Sequence, residues 1–319
     1  MNAAPATVSV ADLARLDHLA AERNLALVAD APLAPLTTLR VGGPADRLAV
    51  AGDRDALLGL VQLARDAGVP CFILGNGSDL VVSDLGMRGL VIRNRARSVT
   101  LRGSEMRADS GTPLALLVRR CVAAGLSGLE FGTAIPGTLG GAVWANAGAH
   151  GGSMSELVSA VEAWDPRDGQ TRLLDNAECN YRYRDSRFKH GPEVILAATL
   201  QLRPDAPDEV AARVAANQAQ RIATQPLADQ NAGSVFRNPP GDHAGRLIDA
   251  AGLKGRSIGS ASVSTRHANF IITDRNGRAA DVRALGDLAR GIVAERFGVE
   301  LEYEIEFVGE WPPGDVGVG

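Results

Sequence analysis

The part of the sequence that most constrains the fold is a glycine-rich stretch from residue 132 to residue 152. It contains seven glycines in 21 residues. Glycine loses more conformational freedom on folding than any other residue, so a long regular helix or strand here would be destabilised. Glycine also lets the backbone come close to a large ligand, and such binding can offset this loss. The stretch therefore predicts a loop that lies close against a bound molecule.

A second glycine-containing loop, GNGSDL at residues 75–80, directly follows the apolar segment PCFIL, a predicted strand. Successive N–H groups in a tight turn can bind an anion. No third glycine completes G-x-G-x-x-G and no helix clearly follows, which argues against a Rossmann dinucleotide site. The sequence also lacks the Gly-Lys-Ser/Thr of a nucleoside-triphosphate loop. Taken alone, the loop is either a phosphate site or a plain turn between strands.

Composition and charge exclude several classes of protein. The chain has 319 residues, 45% of them hydrophobic, which predicts a globular protein of two or three domains. A net charge of −4 and an aromatic content of 4% argue against nucleic acid as a partner. No apolar run approaches the roughly 20 residues of a membrane span, and the N-terminal residues do not resemble a signal peptide. We therefore expect no membrane association and a cytoplasmic location.

The three cysteines, Cys71, Cys121 and Cys179, are odd in number and far apart in the sequence. This spacing argues against a disulfide framework and indicates a reducing compartment. Each cysteine is expected to be a small residue of the hydrophobic core. No grouping of Cys, His, Asp and Glu has metal-ligand spacing, so no metal site is predicted.

Hydrophobic periodicity predicts a mixture of helices and strands. A short amphipathic helix begins near Val10. A helix over residues 53–67 ends at Gly68, and a second follows Thr112 and Pro113, with the threonine hydroxyl expected to cap it, and ends at Gly125. Further helices are predicted over 208–221, near 244–251 and around 285–293. Strands are predicted at 47–51, 70–74, 89–93, 161–164, 194–202, 269–273 and 299–308.

The clearest linker is PDAP at residues 204–207. A glycine- and proline-rich tail ends the chain. The predicted domains are residues 1–95 and 96–206 as two subdomains, 207–300 as a third domain, and 301–319 as a C-terminal strand with its tail. The strands and the helix within residues 1–95 predict a small β-α-β unit.

The motifs together resemble those of a known family. GNGSDL ahead of GTAIPGTLGGA (residues 132–142) is similar to the paired loops of the FAD domain in vanillyl-alcohol-oxidase-type flavoproteins. Within that group, TLRVGGPA (residues 38–45) and NAGAHGG (residues 146–152) resemble the UDP-N-acetylenolpyruvoylglucosamine reductase family. The likeness runs from about residue 36 to residue 309. It implies an α+β fold, with a two-subdomain FAD-binding unit of the vanillyl-alcohol-oxidase (PCMH) type followed by a C-terminal α+β substrate domain.

The resemblance implies noncovalent FAD, whose diphosphate and ring edge lie against the glycine loops. His150 replaces an aromatic residue that is usual in the family, and no covalent flavin link is expected. The implied cofactor residues are Val41, Gly75, Asn76, Gly77, Ser78, Asp79, Leu80, Gly111, Gly132, Thr133, Pro136, Gly137, Gly140, Gly141, Asn146 and Gly148.

The segment NAGSVFRNP contains Ser234, which by its loop context alone is an ordinary turn residue. No G-x-S-x-G elbow surrounds it, so it is not a convincing acyl-transfer nucleophile. The family motif implies that Ser234 is the general acid of the reduction and that Asn238 contacts substrate.

Several cationic residues lie in YRYRDSRFK (residues 181–189), which alone is typical of a solvated surface. The family's YRDS-FK motif implies that Arg184 is catalytic. A guanidinium can bind a carboxylate through two hydrogen bonds and stays charged. Arg182, one strand step away on the same face, remains the alternative.

Alternation places Glu300, Glu302, Glu304 and Glu306 on one face of the last predicted strand, which alone indicates a solvated edge. The family pattern LEPEIRFLG implies that Glu304 is the catalytic partner, with Glu302 as the alternative after a register slip. Two residues depart from this pattern: Tyr303 replaces a proline, and Glu306 stands where a basic residue is common.

The third domain is expected to bind substrate. Family segments imply that Arg221 faces a phosphate and that His267 lines the site. One family subtype carries a tyrosine-bearing loop over the nucleotide; the three tyrosines here all lie in other motifs, so this chain resembles the shorter subtype. The implied reaction is NADPH-dependent reduction of UDP-N-acetylglucosamine enolpyruvate by a monomer. An FAD-dependent oxidase and a nucleotide-binding regulatory module are the alternative functions.

Overall fold

The computed structural model describes residues 8–312 and divides them into two compact units. Unit 1 comprises the chain up to Val28, Arg47–Asn76 and Gly89–Arg221. Unit 2 comprises Ala29–Asp46, Gly77–Arg88 and the chain from Ile222 onward. The predicted glycine- and proline-rich tail from residue 313 lies outside the described residues.

Seven α-helices lie within residues 8–312. They are α1 (Val10–Glu22), α2 (Arg54–Ala67), α3 (Leu114–Ala124), α4 (Leu139–Trp144), α5 (Pro207–Thr224), α6 (Ala244–Ala250) and α7 (Ala279–Phe297). The same residues contain 19 strands, several of only two residues. They are β1 (Val28–Pro32), β2 (Pro44–Ala51), β3 (Cys71–Leu74), β4 (Leu80–Val82), β5 (Met87–Asn94), β6 (Val99–Arg102), β7 (Glu105–Asp109), β8 (Leu126–Ser127), β9 (Gly148–Ala149), β10 (Gly152–Ser153), β11 (Val158–Asp165), β12 (Gln170–Asp175), β13 (Val194–Gln201), β14 (Arg203–Pro204), β15 (Gln230–Asn231), β16 (Ser257–Ile258), β17 (Ala261–Val263), β18 (Ile271–Thr273) and β19 (Glu306–Val308).

Unit 1 is built around a five-stranded antiparallel sheet in the order β12-β11-β13-β7-β6. The central strand β13 contributes to two hydrophobic clusters: Leu196 packs with Trp164 in one, and Ala198 and Leu200 belong to the other. Side-chain alternation in this strand predicts one buried face, yet Ala197 on the other face is also fully buried. The helices α2 and α4 both pack against β13, which leaves little of the strand exposed.

Local signals set both ends of α2 in unit 1, but the start of α3 differs from the prediction. The carboxylate of Asp53 accepts a hydrogen bond from the N–H of Ala56 at 2.8 Å, and Gly68 ends α2 with a φ of +71°, as predicted. The predicted cap at Thr112 is wrong. Pro113 is itself the N-cap residue, with φ −62° and ψ 134°, because its ring holds an extended turn before Leu114.

Unit 2 contains a four-stranded antiparallel sheet, β15-β18-β17-β16, which α7 packs against. Its core includes Phe236 and Leu285 together with Leu39, Val41 and Val81 from the two early segments of the chain. Because these three side chains are buried among C-terminal residues, residues 29–46 and 77–88 fold with the C-terminal part of the chain. The predicted boundaries after residues 95, 206 and 300 follow sequence blocks and stay predictions.

The predicted strand at 299–308 is shorter than expected. A regular strand, β19, exists only at Glu306–Val308, where it pairs in parallel with β4. Before it, only an isolated bridge joins Tyr303 to Phe236. The reason is the neighbouring segment of the same chain. Residues 302–304 lie beside the irregular loop that contains Phe236, and this loop offers no continuous ladder of hydrogen bonds.

The cysteine predictions are confirmed for two residues. Cys121 and Cys179 lie in the core of unit 1, where burial raises the pKa of the Cys121 thiol to about 12. Cys71 was expected in the core but is exposed, because it begins β3, where only Leu74 is fully buried.

An ion-pair cluster in unit 1 makes stability depend on pH. The Glu162 carboxylate accepts hydrogen bonds from Arg54 Nε at 2.9 Å and Arg107 Nη2 at 2.5 Å, with only 17% of its side chain exposed. Burial raises the pKa of Glu162. The hydrogen bonds and charges of the two arginines together lower it by more, so the pKa lies below the usual 4.5. The stabilisation is therefore present above pH 4.5 and lost as the pH falls through the lower folded pKa.

We expect Glu162→Gln to lower the free energy of unfolding at pH 7 by about 2 kcal/mol, because charge-assisted hydrogen bonds are lost. The difference from the wild type should shrink below pH 4.5. Denaturation midpoints measured over a pH series check this. Asp55→Asn is the control, since Asp55 also pairs with Arg54 but its side chain is 88% exposed, and it should have little effect. A Glu162→Gln difference that stays constant with pH would contradict the prediction.

Candidate functional site

The predicted site residues are divided between the two units. Unit 1 holds Gly75, Asn76, Gly111, Gly132, Thr133, Pro136, Gly137, Gly140, Gly141, Asn146, Gly148, Arg184 and Arg221. Unit 2 holds Val41, Gly77, Ser78, Asp79, Leu80, Ser234, Asn238, His267 and Glu304. The chain passes from one unit to the other inside the GNGSDL loop, between Asn76 and Gly77.

In unit 1 the beginning of GNGSDL lies against the glycine-rich stretch. The side-chain N–H of Asn76 donates to the carbonyl of Pro136 at 2.8 Å. A Cβ added at Gly75 would lie only 2.6 Å from Thr138 Oγ1. As predicted, β4 and not a helix follows this loop. The structure therefore brings the two glycine loops of unit 1 together.

The glycine-rich stretch is more regular than the sequence suggested. It contains the six-residue helix α4 and the β9–β10 hairpin. The N–H groups of Leu139 and Gly140 donate to the carbonyls of Thr112 and Ser110 at 2.8 and 2.7 Å, which fixes the start of α4. Gly140 lies so close to Ser110 that an added Cβ would be 2.8 Å from Ser110 Cβ. Close packing inside the protein thus accounts for this glycine.

Gly141 is different, because the packing of the described residues does not require it. It is exposed, and the nearest atom to an added Cβ is Thr138 Oγ1 at 3.9 Å. A side chain would fill only open space beside α4. The exposed backbone of Gly141, within the glycine-rich stretch, leaves room for the close approach of a dinucleotide such as FAD.

We expect Gly141→Ala to weaken FAD binding by about tenfold to 100-fold, given the 1–3 kcal/mol typical of overpacking. The apoprotein should be as stable as the wild type or more so, because alanine is the better helix former. Gly59→Ala in α2 is the matched control: its new Cβ also meets nothing within 4 Å. It should raise the melting temperature and leave the FAD Kd unchanged. Titration of the apoproteins with FAD measures the Kd, and thermal denaturation measures the melting temperature. An unchanged Kd in Gly141→Ala would count against a ligand at this helix.

Arg184 lies in a tight turn and not in a strand. Two backbone hydrogen bonds of 3.0 and 3.1 Å close the turn between Arg182 and Asp185, and Arg184 has a φ of +53°. The expectation that Arg182 lies one strand step away on the same face is therefore wrong. Arg182 is exposed, whereas Arg184 is half-buried and its Nη2 donates to the carbonyl of Gly148 at 2.6 Å. This contact favours Arg184 as the functional arginine.

Asn146 ties this turn to the glycine-rich stretch. Its side-chain N–H donates to the carbonyl of Arg182 at 2.7 Å, and its Oδ1 accepts from the N–H of Ser155 at 2.9 Å. The hydroxyl of Ser186 donates to the carbonyl of Trp144 at 2.6 Å. The predicted cofactor residues Asn146 and Gly148 are thus joined to Arg184 within unit 1.

In unit 2 the structure brings the backbones of the Ser234 and Glu304 segments together. The N–H of Glu304 donates to the carbonyl of Val235, the residue after Ser234, at 2.8 Å. Glu304 is half-buried. The alternative, Glu302, has a side chain that is 75% exposed and lies 3.5 Å from Arg237. The register therefore favours Glu304 over Glu302 as the glutamate held beside the Ser234 segment.

Asn269 holds the other side of the Ser234 segment, a role that sequence reasoning missed. Its carbonyl accepts from the N–H of Val235 at 2.8 Å, and its side-chain amide makes two bonds to the backbone of Phe236, at 3.0 and 2.8 Å. Asn269 is 4% exposed. The only signal was a polar residue inside the apolar run HANFII, because buried amides require partners.

The remainder of GNGSDL also lies against the Ser234 segment of unit 2. The N–H of Thr38 donates to the carbonyl of Gly77 at 2.9 Å. The hydroxyl of Thr38 donates to the carbonyl of Asn231 at 2.7 Å. The N–H of Glu306 donates to the carbonyl of Asp79 at 3.0 Å. Three segments distant in sequence therefore meet in unit 2. The side chain of Val41 is in the core of this unit, which leaves only its backbone for a ligand.

The two predicted substrate residues of unit 2 lie near the start of α6. Asn238 is exposed, and its Oδ1 accepts from the N–H of Ala244 at 3.1 Å. His267 is half-buried; a Cβ added at Gly245 would lie 3.2 Å from its Cε1. Burial, and then the charge of Lys254, lowers the pKa of His267, which favours the neutral ring.

Two features typical of other classes of protein are absent from residues 8–312. None of the helices there is both long and apolar enough to cross a bilayer. No group of three or more His, Cys, Asp and Glu in that range is arranged to hold a metal ion.

The two glycine loops, the second of which is bonded to the arginine turn, fit a flavin-dependent oxidoreductase. The family model described as FAD binding domain matches residues 45–175, which include both glycine loops. FAD is therefore the cofactor of this class of protein.

More specific comparisons identify the family. The model of the C-terminal domain of UDP-N-acetylenolpyruvoylglucosamine reductase matches residues 225–308. Proteins named UDP-N-acetylenolpyruvoylglucosamine reductase from Moorella thermoacetica and Symbiobacterium thermophilum are each 45% identical, over 90% and 88% of this chain and 95% and 92% of their own. The crystal structure of this reductase from Thermus caldophilus is 37% identical, covering 90% of this chain and 99% of its own, with a TM-score of 0.75. The chain belongs to the UDP-N-acetylenolpyruvoylglucosamine reductase family. The predicted family and fold class are thereby confirmed.

Proposed function

We propose that this protein catalyses the NADPH-dependent, FAD-mediated reduction of UDP-N-acetylglucosamine enolpyruvate to UDP-N-acetylmuramate, a precursor of peptidoglycan. Family membership supports the reaction. The observation that carries the residue assignment is the backbone hydrogen bond of 2.8 Å between Glu304 and Val235, which sets the glutamate segment beside Ser234. The cytoplasmic location and the monomeric state stay predictions.

The reaction makes three demands on the protein. Bound FAD supplies a hydride to the enolpyruvyl group. The protein must hold the substrate carboxylate, stabilise the negative charge that develops, and deliver a proton to the carbon next to the carboxylate. We assign the binding of the substrate carboxylate to Arg184, whose planar guanidinium suits a carboxylate and stays charged at any working pH. Its hydrogen bond to Gly148 supports the assignment, because that bond orients the guanidinium.

We assign delivery of the proton to Ser234. Its neighbours Ala232 and Gly233 are small, so a ligand can reach the hydroxyl, and Gly233 has a φ of +83°, which favours glycine. An alcohol is a weak acid and needs a partner that stabilises its alkoxide or returns a proton. Asn269 and the Glu304 segment hold the backbone next to Ser234 on two sides, which supports a precisely placed donor. Arg184, with Glu304 as catalytic partner, is also assigned to stabilise the enolate-like state that forms as the hydride adds.

We assign the cofactor to the backbone of the glycine loops and substrate binding in unit 2 to Asn238 and His267 near α6. Arg221 stays a predicted phosphate contact. The NADPH that supplies reducing equivalents is proposed to use the same binding site as the substrate. The missing G-x-G-x-x-G motif supports this, because the sequence offers no separate nucleotide fingerprint.

Two half-reactions followed by stopped-flow absorbance test the proposal. NADPH should bleach the visible flavin band under anaerobic conditions, and UDP-N-acetylglucosamine enolpyruvate should restore it. Rapid recovery with oxygen and none with the enolpyruvate would indicate the alternative oxidase. A flavin that NADPH does not reduce would indicate the regulatory module. The same assay with NADH in place of NADPH measures the nucleotide preference.

A further inference from the structure

Tyr303 replaces a proline of the family pattern and has well-defined contacts in unit 2. Its ring stacks on Phe236 with centroids 4.9 Å apart and an interplanar angle of 29°. Its hydroxyl donates to Asp287 Oδ1 of α7 at 2.9 Å. The guanidinium of Arg290, also on α7, lies 5.1 Å from the ring centroid. The tyrosine thus links the Glu304 segment to both the Ser234 segment and α7.

Helix α7 has a space for this side chain because residue 286 is glycine. A Cβ added at Gly286 would lie 2.5 Å from Tyr303 Oη and 2.9 Å from Cε1. Real Cβ contacts are not this short, so any larger residue at 286 would displace the ring. The pairing of Gly286 with Tyr303 is therefore specific and can be tested by substitution at either position.

Few regular backbone hydrogen bonds hold the register of the segment around Tyr303. Tyr303 and Phe236 form an isolated bridge, and the bonds on either side are Arg237 N–H to Glu302 O at 2.9 Å and Glu304 N–H to Val235 O at 2.8 Å. The regular pairing of β19 with β4 begins only at Glu306. A register shift of one residue turns every side chain to the opposite face. Such a shift here would put another residue in the place of Glu304.

We propose that Tyr303, whose ring stacks on Phe236 and lies over Gly286, is a positioning residue that sets the register of Glu304 against the Ser234 segment. The inference rests on the proposed function for its catalytic meaning, because Ser234 and Glu304 are assigned there. The structural part does not depend on it. Tyr303 itself takes no part in the chemistry.

The test compares two glycine-to-alanine variants of the same helix. Gly286→Ala forces the tyrosine ring to move, whereas Gly291→Ala meets nothing within 4 Å. Tyr303→Leu removes the ring and Tyr303→Phe keeps it. We expect Gly286→Ala and Tyr303→Leu to slow flavin reoxidation by the enolpyruvate substrate about tenfold to 100-fold, as misplacement of a catalytic group does. Flavin reduction by NADPH should stay within about twofold, and Gly291→Ala and Tyr303→Phe should resemble the wild type.

A second readout does not depend on activity. Hydrogen–deuterium exchange at the amides of Arg237 and Glu304 should be faster in Gly286→Ala and Tyr303→Leu, and unchanged in Gly291→Ala, because the bridge opens more often. The double variant Gly286→Ala/Tyr303→Leu should be no worse than Tyr303→Leu alone, since no ring remains to be displaced.

Three results would overturn the proposal. The first is lower thermal stability with unchanged exchange at these amides and unchanged reoxidation. The second is an equal loss in both half-reactions, which would place the effect on FAD binding. The third is the same loss in Gly291→Ala. If the wild type fails to reoxidise with the enolpyruvate, the proposed function fails, and the exchange measurements still decide whether Tyr303 sets the register.

Discussion

Ser234→Ala is expected to slow flavin reoxidation by UDP-N-acetylglucosamine enolpyruvate by about 100-fold to 10,000-fold, the range typical of general acid catalysis. Flavin reduction by NADPH should remain close to the wild-type rate, because that step needs no proton from Ser234. The variant should therefore accumulate reduced flavin during turnover. Stopped-flow absorbance of each half-reaction separates the two rates.

The control for this variant is Ser257→Ala. Ser257 is exposed on β16 in the same unit, and its hydroxyl only donates to the carbonyl of Gly255 at 3.4 Å. Both half-reactions should be unaffected by its loss. Normal reoxidation in Ser234→Ala would remove Ser234 from its assigned role, and slowed reduction by NADPH would indicate a defect in the cofactor site.

Arg184→Gln is expected to slow the same reoxidation step by about 100-fold to 1,000-fold, as the loss of one donor to a developing negative charge typically does. Glutamine can still donate a hydrogen bond, but it carries no charge and cannot bind a carboxylate as a fork. Arg184→Lys should recover only part of the rate, because an ammonium keeps the charge and lacks the planar geometry. The rate constant at saturating substrate and the apparent KM for the enolpyruvate measure the two effects.

Arg182→Gln is the matched control for Arg184. Both arginines belong to the same turn, but Arg182 is exposed and Arg184 donates to the carbonyl of Gly148. Arg182→Gln should change the reoxidation rate only slightly. A larger effect at Arg182 than at Arg184 would reverse the assignment and support the alternative that the sequence left open.

Much of the local structure could be predicted because the relevant signals lie within a few residues of each other. The carboxylate of Asp53 and the left-handed Gly68 define α2 at its two ends, and apolar spacing gives its buried face. The same reasoning failed at Thr112, where the ring of Pro113 determines how the chain enters α3. It also failed around Arg184, because alternation of side chains cannot distinguish a strand from a turn closed by backbone hydrogen bonds.

The candidate site shows the same division. Resemblance in the motifs indicated Ser234, Arg184 and Glu304, but it left Arg182 and Glu302 as alternatives. Hydrogen bonds to the backbone of Gly148 and Val235 favour Arg184 and Glu304, and each joins segments that are far apart in the chain. Asn269 could not be singled out, because its function is to bond the backbone of Phe236, 33 residues away.

The sequence by itself determined the family, the cofactor class and the main helices, because these depend on residue types at fixed short spacings. Only the tertiary structure decided that residues 29–46 and 77–88 fold with the C-terminal unit, that Arg184 lies in a turn on Gly148, and that Tyr303 lies over Gly286. These features depend on which distant segments share a hydrophobic core or a backbone hydrogen bond. Such partners are selected by the free energy of the whole fold and not by neighbouring residues.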